Sequence, residues 1–98
     1  MIRVKQMINN NGYAVMNHFI IVEGNKRILQ SYDSIVAIVD RDAEGSDLLT
    51  LGRDWDYSRT TMKYVHQFLQ QTLGWDITAE GLRKAIKNED INYDCTLH

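Results

Sequence analysis

The residues with most chemistry to offer begin at "DRDAEGSD" (40–47). Asp40, Asp42, Glu44 and Gly45 fall at positions 1, 3, 5 and 6 of an EF-hand calcium loop. Position 12, where that loop needs a bidentate Glu, is Leu51, and the flanks read as strands. The run is therefore expected to be an acidic hairpin loop kept in water by its charges. At "CTLH", Cys95 and His98 make two soft ligands where structural zinc needs four. His18 and His66 belong to a strand pattern and a helix pattern, with no ligand spacing. No metal and no cofactor is expected. No glycine-flanked serine, phosphate-cradling loop or paired-glutamate pattern appears. His66 flanks an apolar helical face and reads as a boundary histidine. No catalytic residue is assigned, and the chain is not expected to be an enzyme.

What remains is surface. "WDYSRTTMKYVHQFL" (55–69) brings Trp55, Tyr57, Arg59 and Lys63 together, residue types that dominate protein–protein hot spots. Trp55 could equally seal the edge of the core. Net charge is −2, unevenly spread. Residues 1–32 hold Arg3, Lys5, Lys26 and Arg27 against Glu23. Residues 33–56 hold seven acids against Arg41 and Arg53. Asp40, Asp42, Glu44 and Asp47 lie on one loop, and Asp54 and Asp56 precede a helix start. These six acids, with Trp55, Tyr57, Arg59 and Lys63, form the candidate partner-binding set. Arg83, Lys84 and Lys87 could meet phosphates in a helix-turn-helix outline. Glu80, Glu89 and Asp90 surround them, so a solvated helix face is the plainer reading and direct nucleic-acid binding is not expected.

The elements that must position these residues follow from periodicity. "YAVMNHFIIVE" (13–23) is β-branched and aromatic, a strand. Gly24 and Asn25 form a two-residue turn in which both tolerate positive φ. "KRILQSY" (26–32) returns, setting Ile21 opposite Ile28 and Ile20 opposite Leu29. The hairpin is thus apolar on both faces: one should meet a helix, the other a second helix, the N-terminal segment or a partner chain. "SIVAIVD" (34–40) and "LLTLG" (48–52) are the third and fourth strands. Ser58 fits an N-cap, with Tyr57 and Met62 as a hydrophobic staple. Met62, Val65, Phe68, Leu69 and Leu73 make one helical face, ended by Gly74 with Trp75 folding back. Thr78 caps a second helix, Ile77 and Leu82 staple it, and Asn88 stops it. Residues 89–98 show no clear period and are left without an assigned element; a polar, frayed end is the plain alternative to a metal site at Cys95 and His98. The order ββββαα is an α+β domain: an antiparallel meander of about four strands, then two helices on one face.

Ninety-eight residues make a single domain, 1–98, and 44% apolar content is ordinary for a globular chain. No apolar run approaches a membrane span, and the first residues lack a signal-peptide pattern. A single cysteine excludes an intrachain disulfide framework and suits a reducing cytoplasm.

"QSYDSIVA" (30–37) followed by "WDYSRTTMKYVHQFL" (55–69) resembles a group of small proteins encoded by bacteriophages and prophages. The similarity spans about half the chain, residues 18–69. It implies a phage product acting in the host bacterial cytoplasm, and supplies no catalytic residue. In that setting, small proteins with a locally acidic surface often inhibit host defence proteins, as anti-CRISPR proteins do, some by offering carboxylates in place of DNA phosphates. The expected function is a non-enzymatic inhibitor binding a host protein, a CRISPR effector first among the candidates. The alternatives are a small DNA-binding regulator using Arg83, Lys84 and Lys87, or a homodimeric phage accessory protein joined through the second sheet face.

Overall fold

A computed structural model describes residues 2–98. It is an α+β domain built on one six-stranded sheet in sequence order. The strands are β1 (Ile2–Ile8), β2 (Ala14–Glu23), β3 (Lys26–Ser31), β4 (Ser34–Asp40), β5 (Leu49–Gly52) and β6 (Asn92–Asp94). The first five form an antiparallel meander, and β6 joins β5 in parallel. The helices α1 (Arg59–Leu73) and α2 (Ala79–Lys87) come between β5 and β6.

The expected hairpin register holds: Ile21 pairs with Ile28, and Ile20 with Leu29. At the turn only Gly24 is left-handed, at φ 58°, so Asn25 is not required to be. Two strands go beyond the expected four. β1 was open among several candidates to back the hairpin; instead of covering a face it extends the sheet at its edge. β6 lies in the segment 89–98, to which the sequence assigns no element. Its pairing with β5 is reinforced by Arg53 N–H donating to the Leu97 carbonyl, 3.0 Å. Gly52 is fitted to this closure: a Cβ there would collide with the Ile35 carbonyl and lie 2.8 Å from that of Leu97.

Alternation divides the sheet into two unlike faces. One carries the row Ile20, Leu29, Ala37 and Leu51, and beside it Val39 and Leu49, all buried. Both helices cover this face, contributing Val65, Phe68, Leu69 and Leu82. The other carries the row Val4, Ile21, Ile28, Ile38 and Thr50, with no layer over it.

The helix ends follow the sequence closely. Ser58 accepts from Thr61 N–H and Thr78 from Gly81 N–H. Gly74 takes φ 69°, and the Gly74 and Trp75 N–H groups close on the Gln70 and Leu69 carbonyls. The first staple is a correction. Tyr57 is 81% exposed and does not pack inward; Trp55, two residues earlier, takes the buried place at 3%. α1 runs obliquely across the sheet. Its first turn touches Ser31, and Gln67, Gln70 and Gln71 grip the β1–β2 loop through Asn10 and the Ile8 carbonyl.

Candidate functional site

Two segments 25 residues apart in "QSYDS" and "WDYSRTT" meet where α1 begins. Ser31, Tyr32, Asp33 and Ser34 form one wall of a cleft of about 370 Å³, and Asp54, Tyr57 and Thr61 form the other. Two of its lining residues, Ser31 and Thr61, belong to a polar network that runs inward. Ser58 Oγ donates to Thr61 Oγ1 (3.2 Å), and Thr61 Oγ1 lies 3.3 Å from Ser31 Oγ. Ser31 Oγ is 2.9 Å from His18 Nε2, and His18 Nδ1 is 2.9 Å from the Met16 carbonyl. A carbonyl can only accept, so Nδ1 carries the hydrogen; in the neutral ring Nε2 then accepts from Ser31. His18, Ser31 and Thr61 are 1%, 4% and 3% exposed, and the hydroxyls of Ser31, Ser58 and Thr61 each have a partner. The His18 ring is further held between Tyr32 and Tyr64, at centroid distances of 5.6 and 4.7 Å.

The backbone around this network is unusual. Tyr32 and Asn17 both lie at positive φ, 54° and 61°, and the Tyr32 N–H donates to the Asn17 carbonyl at 2.7 Å. A bulky residue there is disfavoured by about 1–2 kcal/mol. At Asn17 the strand alternation breaks, so that Val15 and His18 both point inward. Sequence reasoning passed over His18, Ser31 and Thr61. The signal was present in parity, since His18 shares the inward face of Ile20 and Ser31 that of Leu29.

The candidate partner-binding set is not one surface. The strand β4 spans about 20 Å at its usual rise, and the set divides between its ends. At the far end Asp40 Oδ1 accepts from Asp42 N–H, Asp42 accepts from Asn25 Nδ2 at 2.8 Å, and Asp47 accepts from Asn92 Nδ2 at 2.9 Å. Glu44 is exposed. At the near end Asp54 accepts from Ser34 and lies 3.6 Å from Arg53. Asp56 pairs with Arg83 at 3.4 Å. Trp55 lies buried beneath the Arg83 guanidinium, 5.5 Å from its ring centroid. Tyr57, Arg59 and Lys63 are exposed, with the Lys63 ammonium 5.3 Å from the Tyr64 ring. Asp40, Asp42 and Asp47 are therefore oriented by neutral donors from within the molecule. Among the described residues no group of three or more His, Cys, Asp or Glu is placed to hold a metal. Cys95 and His98 are exposed.

The open sheet face has no use inside the fold. Val4, Ile21, Ile28 and Ile38 cross four strands in one apolar row; the row on one side alternates Gln6, Phe19, Gln30 and Ile35, and the row on the other sets Ile2 beside Glu23. Ile2 and Val4 are each 62% exposed. Antiparallel sheets that face water on one side are ordinarily polar there.

A family model described as a family of unknown function, DUF8033, matches residues 2–89. The chain belongs to the DUF8033 family. The match runs from β1 through α2 and takes in both segments of the cleft. No curated protein and no solved structure matches the chain. No helix of this DUF8033 member, among the described residues, is long and apolar enough to cross a membrane.

Proposed function

We propose that this protein is a non-enzymatic binding protein, and that it inhibits a host defence protein, a CRISPR effector first among the candidates. The observation that carries the binding reading is the uncovered sheet face. A contiguous apolar patch of this kind marks an interaction surface in soluble proteins. The phage setting rests on the resemblance of residues 30–37 and 55–69, and that setting supplies the class of partner. The acidic loop at 40–47 stands at the end of the same sheet and would steer a basic partner toward it. The cleft at the start of α1 supports a binding reading rather than a reaction, because its serine and histidine are closed into a satisfied network.

The test is a plaque assay in CRISPR-immune bacteria expressing the chain. Wild type should restore plaquing. An Ile2→Glu/Val4→Glu variant that keeps the wild-type melting temperature should not. Plaquing equal to the empty-vector control, across the CRISPR types tried, overturns the inhibitor reading. Turnover of an activated ester or nucleotide by purified protein, abolished by Ser31→Ala, overturns the non-enzymatic one.

A homodimeric accessory protein is the second reading. It is favoured by β1, a seven-residue edge strand paired on one side only and adjoining the apolar face. Light scattering at several concentrations tests it, and a clean monomer removes it. The DNA-binding reading has less support, since Arg83 is engaged by Asp56 and the Trp55 ring.

A further inference from the structure

A second cleft, of about 240 Å³, opens between the last turns of α1 and the sheet margin. Three cations line it: Lys5 from β1, Arg27 from β3 and Arg41 from the β4–β5 connection. Arg3 shares the face of Lys5, two residues along β1. Ile8, Ile20 and Phe68 supply an apolar wall, and no carboxylate is among the lining residues. The chain has more acids than bases, so a cleft holding bases alone runs against its composition. The two ion pairs among the described residues use Arg53 and Arg83 instead.

The way these cations are held is informative. Arg41 Nη2 donates to the Thr72 carbonyl at 3.3 Å, at the C-terminal end of α1. Arg27 Nη1 donates to the Gly24 and Lys26 carbonyls at 2.9 and 3.0 Å. Carbonyls position a guanidinium without neutralising it. A carboxylate would do both. The result is two guanidinium groups placed by carbonyls, with donors left over, and the Lys5 ammonium beside them at an apolar wall. We propose that this cleft binds a phosphate group, the anion that forked guanidinium donors and an ammonium recognise best. The apolar wall favours a phosphomonoester with a small organic portion over the bare ion. The cleft lies on the helix-covered side of the sheet, opposite the apolar face proposed for the partner, and shares only Arg41 with the 40–47 loop.

The experiment is an amide NMR titration of the whole chain with inorganic phosphate, with adenosine monophosphate and with adenosine. Phosphate and the nucleotide should give saturable shifts at Lys5, Arg27, Gln71 and Thr72, with a dissociation constant at or below about 1 mM. Adenosine should give none. Tighter binding of the nucleotide identifies a phosphomonoester; equal binding identifies the free ion. Lys5→Glu has no internal bond to lose and should weaken binding about tenfold or more. Arg41→Ala should do the same while its unliganded spectrum remains folded. Shifts that never saturate, that appear equally at Lys84 and Lys87, or that survive Lys5→Glu unchanged overturn the proposal.

Discussion

At the scale of residues, the buried chain from Ser58 through Thr61 and Ser31 to His18 shows how a few polar atoms specify one arrangement of strand and helix. Each partner removes a desolvation penalty from the next. Ser31→Ala leaves the buried His18 Nε2 without its donor and Thr61 Oγ1 with Ser58 as its remaining partner. It should cost about 1–3 kcal/mol in urea unfolding, with little change in m-value. Gly52→Ala should cost more, because the Cβ would meet two backbone carbonyls that cannot swing aside. Asp94 gives a pH signature. The Thr96 hydroxyl, and then the Thr96 N–H, hold its carboxyl below the ordinary value of 3.8. A lowered folded value means the contribution is present above 3.8 and lost as pH falls through that lowered value. Protection of the β6 amides, taken relative to the intrinsic exchange rate at each pH, should therefore fall in acid, and Asp94→Asn should remove that dependence. An Asp94→Asn chain with the wild-type acid profile would sink the assignment.

At the scale of elements, the helices are defined by their ends. Ser58→Ala removes a cap and should lower stability by about 1 kcal/mol. Gly74→Ala forces a Cβ into the left-handed region, at about 1–2 kcal/mol. For a domain of this size each kcal/mol moves the melting temperature by roughly 4–8 °C, so a scanning melt separates these variants from wild type. Caps were legible in the sequence because they depend on neighbours within four residues. So were β2, β3 and their register, which a two-residue turn dictates. The strand β6 was not, because three residues carry no period and its partner β5 lies some forty positions earlier. Tyr57 as a staple failed for a related reason: Trp55 competes for the same inward place, and only packing decides between them.

At the scale of the whole molecule, the decisive asymmetry is between the two faces of the sheet. Ile2→Glu/Val4→Glu adds charge where side chains are already in water. The melting temperature should stay within a few degrees of wild type, while any association through that face is lost. Leu29→Ala or Leu51→Ala, on the covered face, should cost about 2–5 kcal/mol. Equal losses for the two pairs, read by the same urea titration, would mean that the open face is structural. Charge behaves differently at this scale than along the chain. The acid-rich segment 33–56 looked like one patch, but β4 and β5 run through it and carry its members to opposite ends of the sheet.

Sequence by itself determined the α+β class, the meander from β2 to β5, both helices and their caps, because each rests on local periodicity or on bonds a few residues long. Tertiary structure alone decided that β1 and β6 complete the sheet, that "QSYDS" and "WDYSRTT" enclose one cleft, and that Lys5, Arg27 and Arg41 converge on another. Those arrangements join residues tens of positions apart. Which distant groups come together is settled by how the chain's apolar surface packs, and no short stretch of sequence records that outcome.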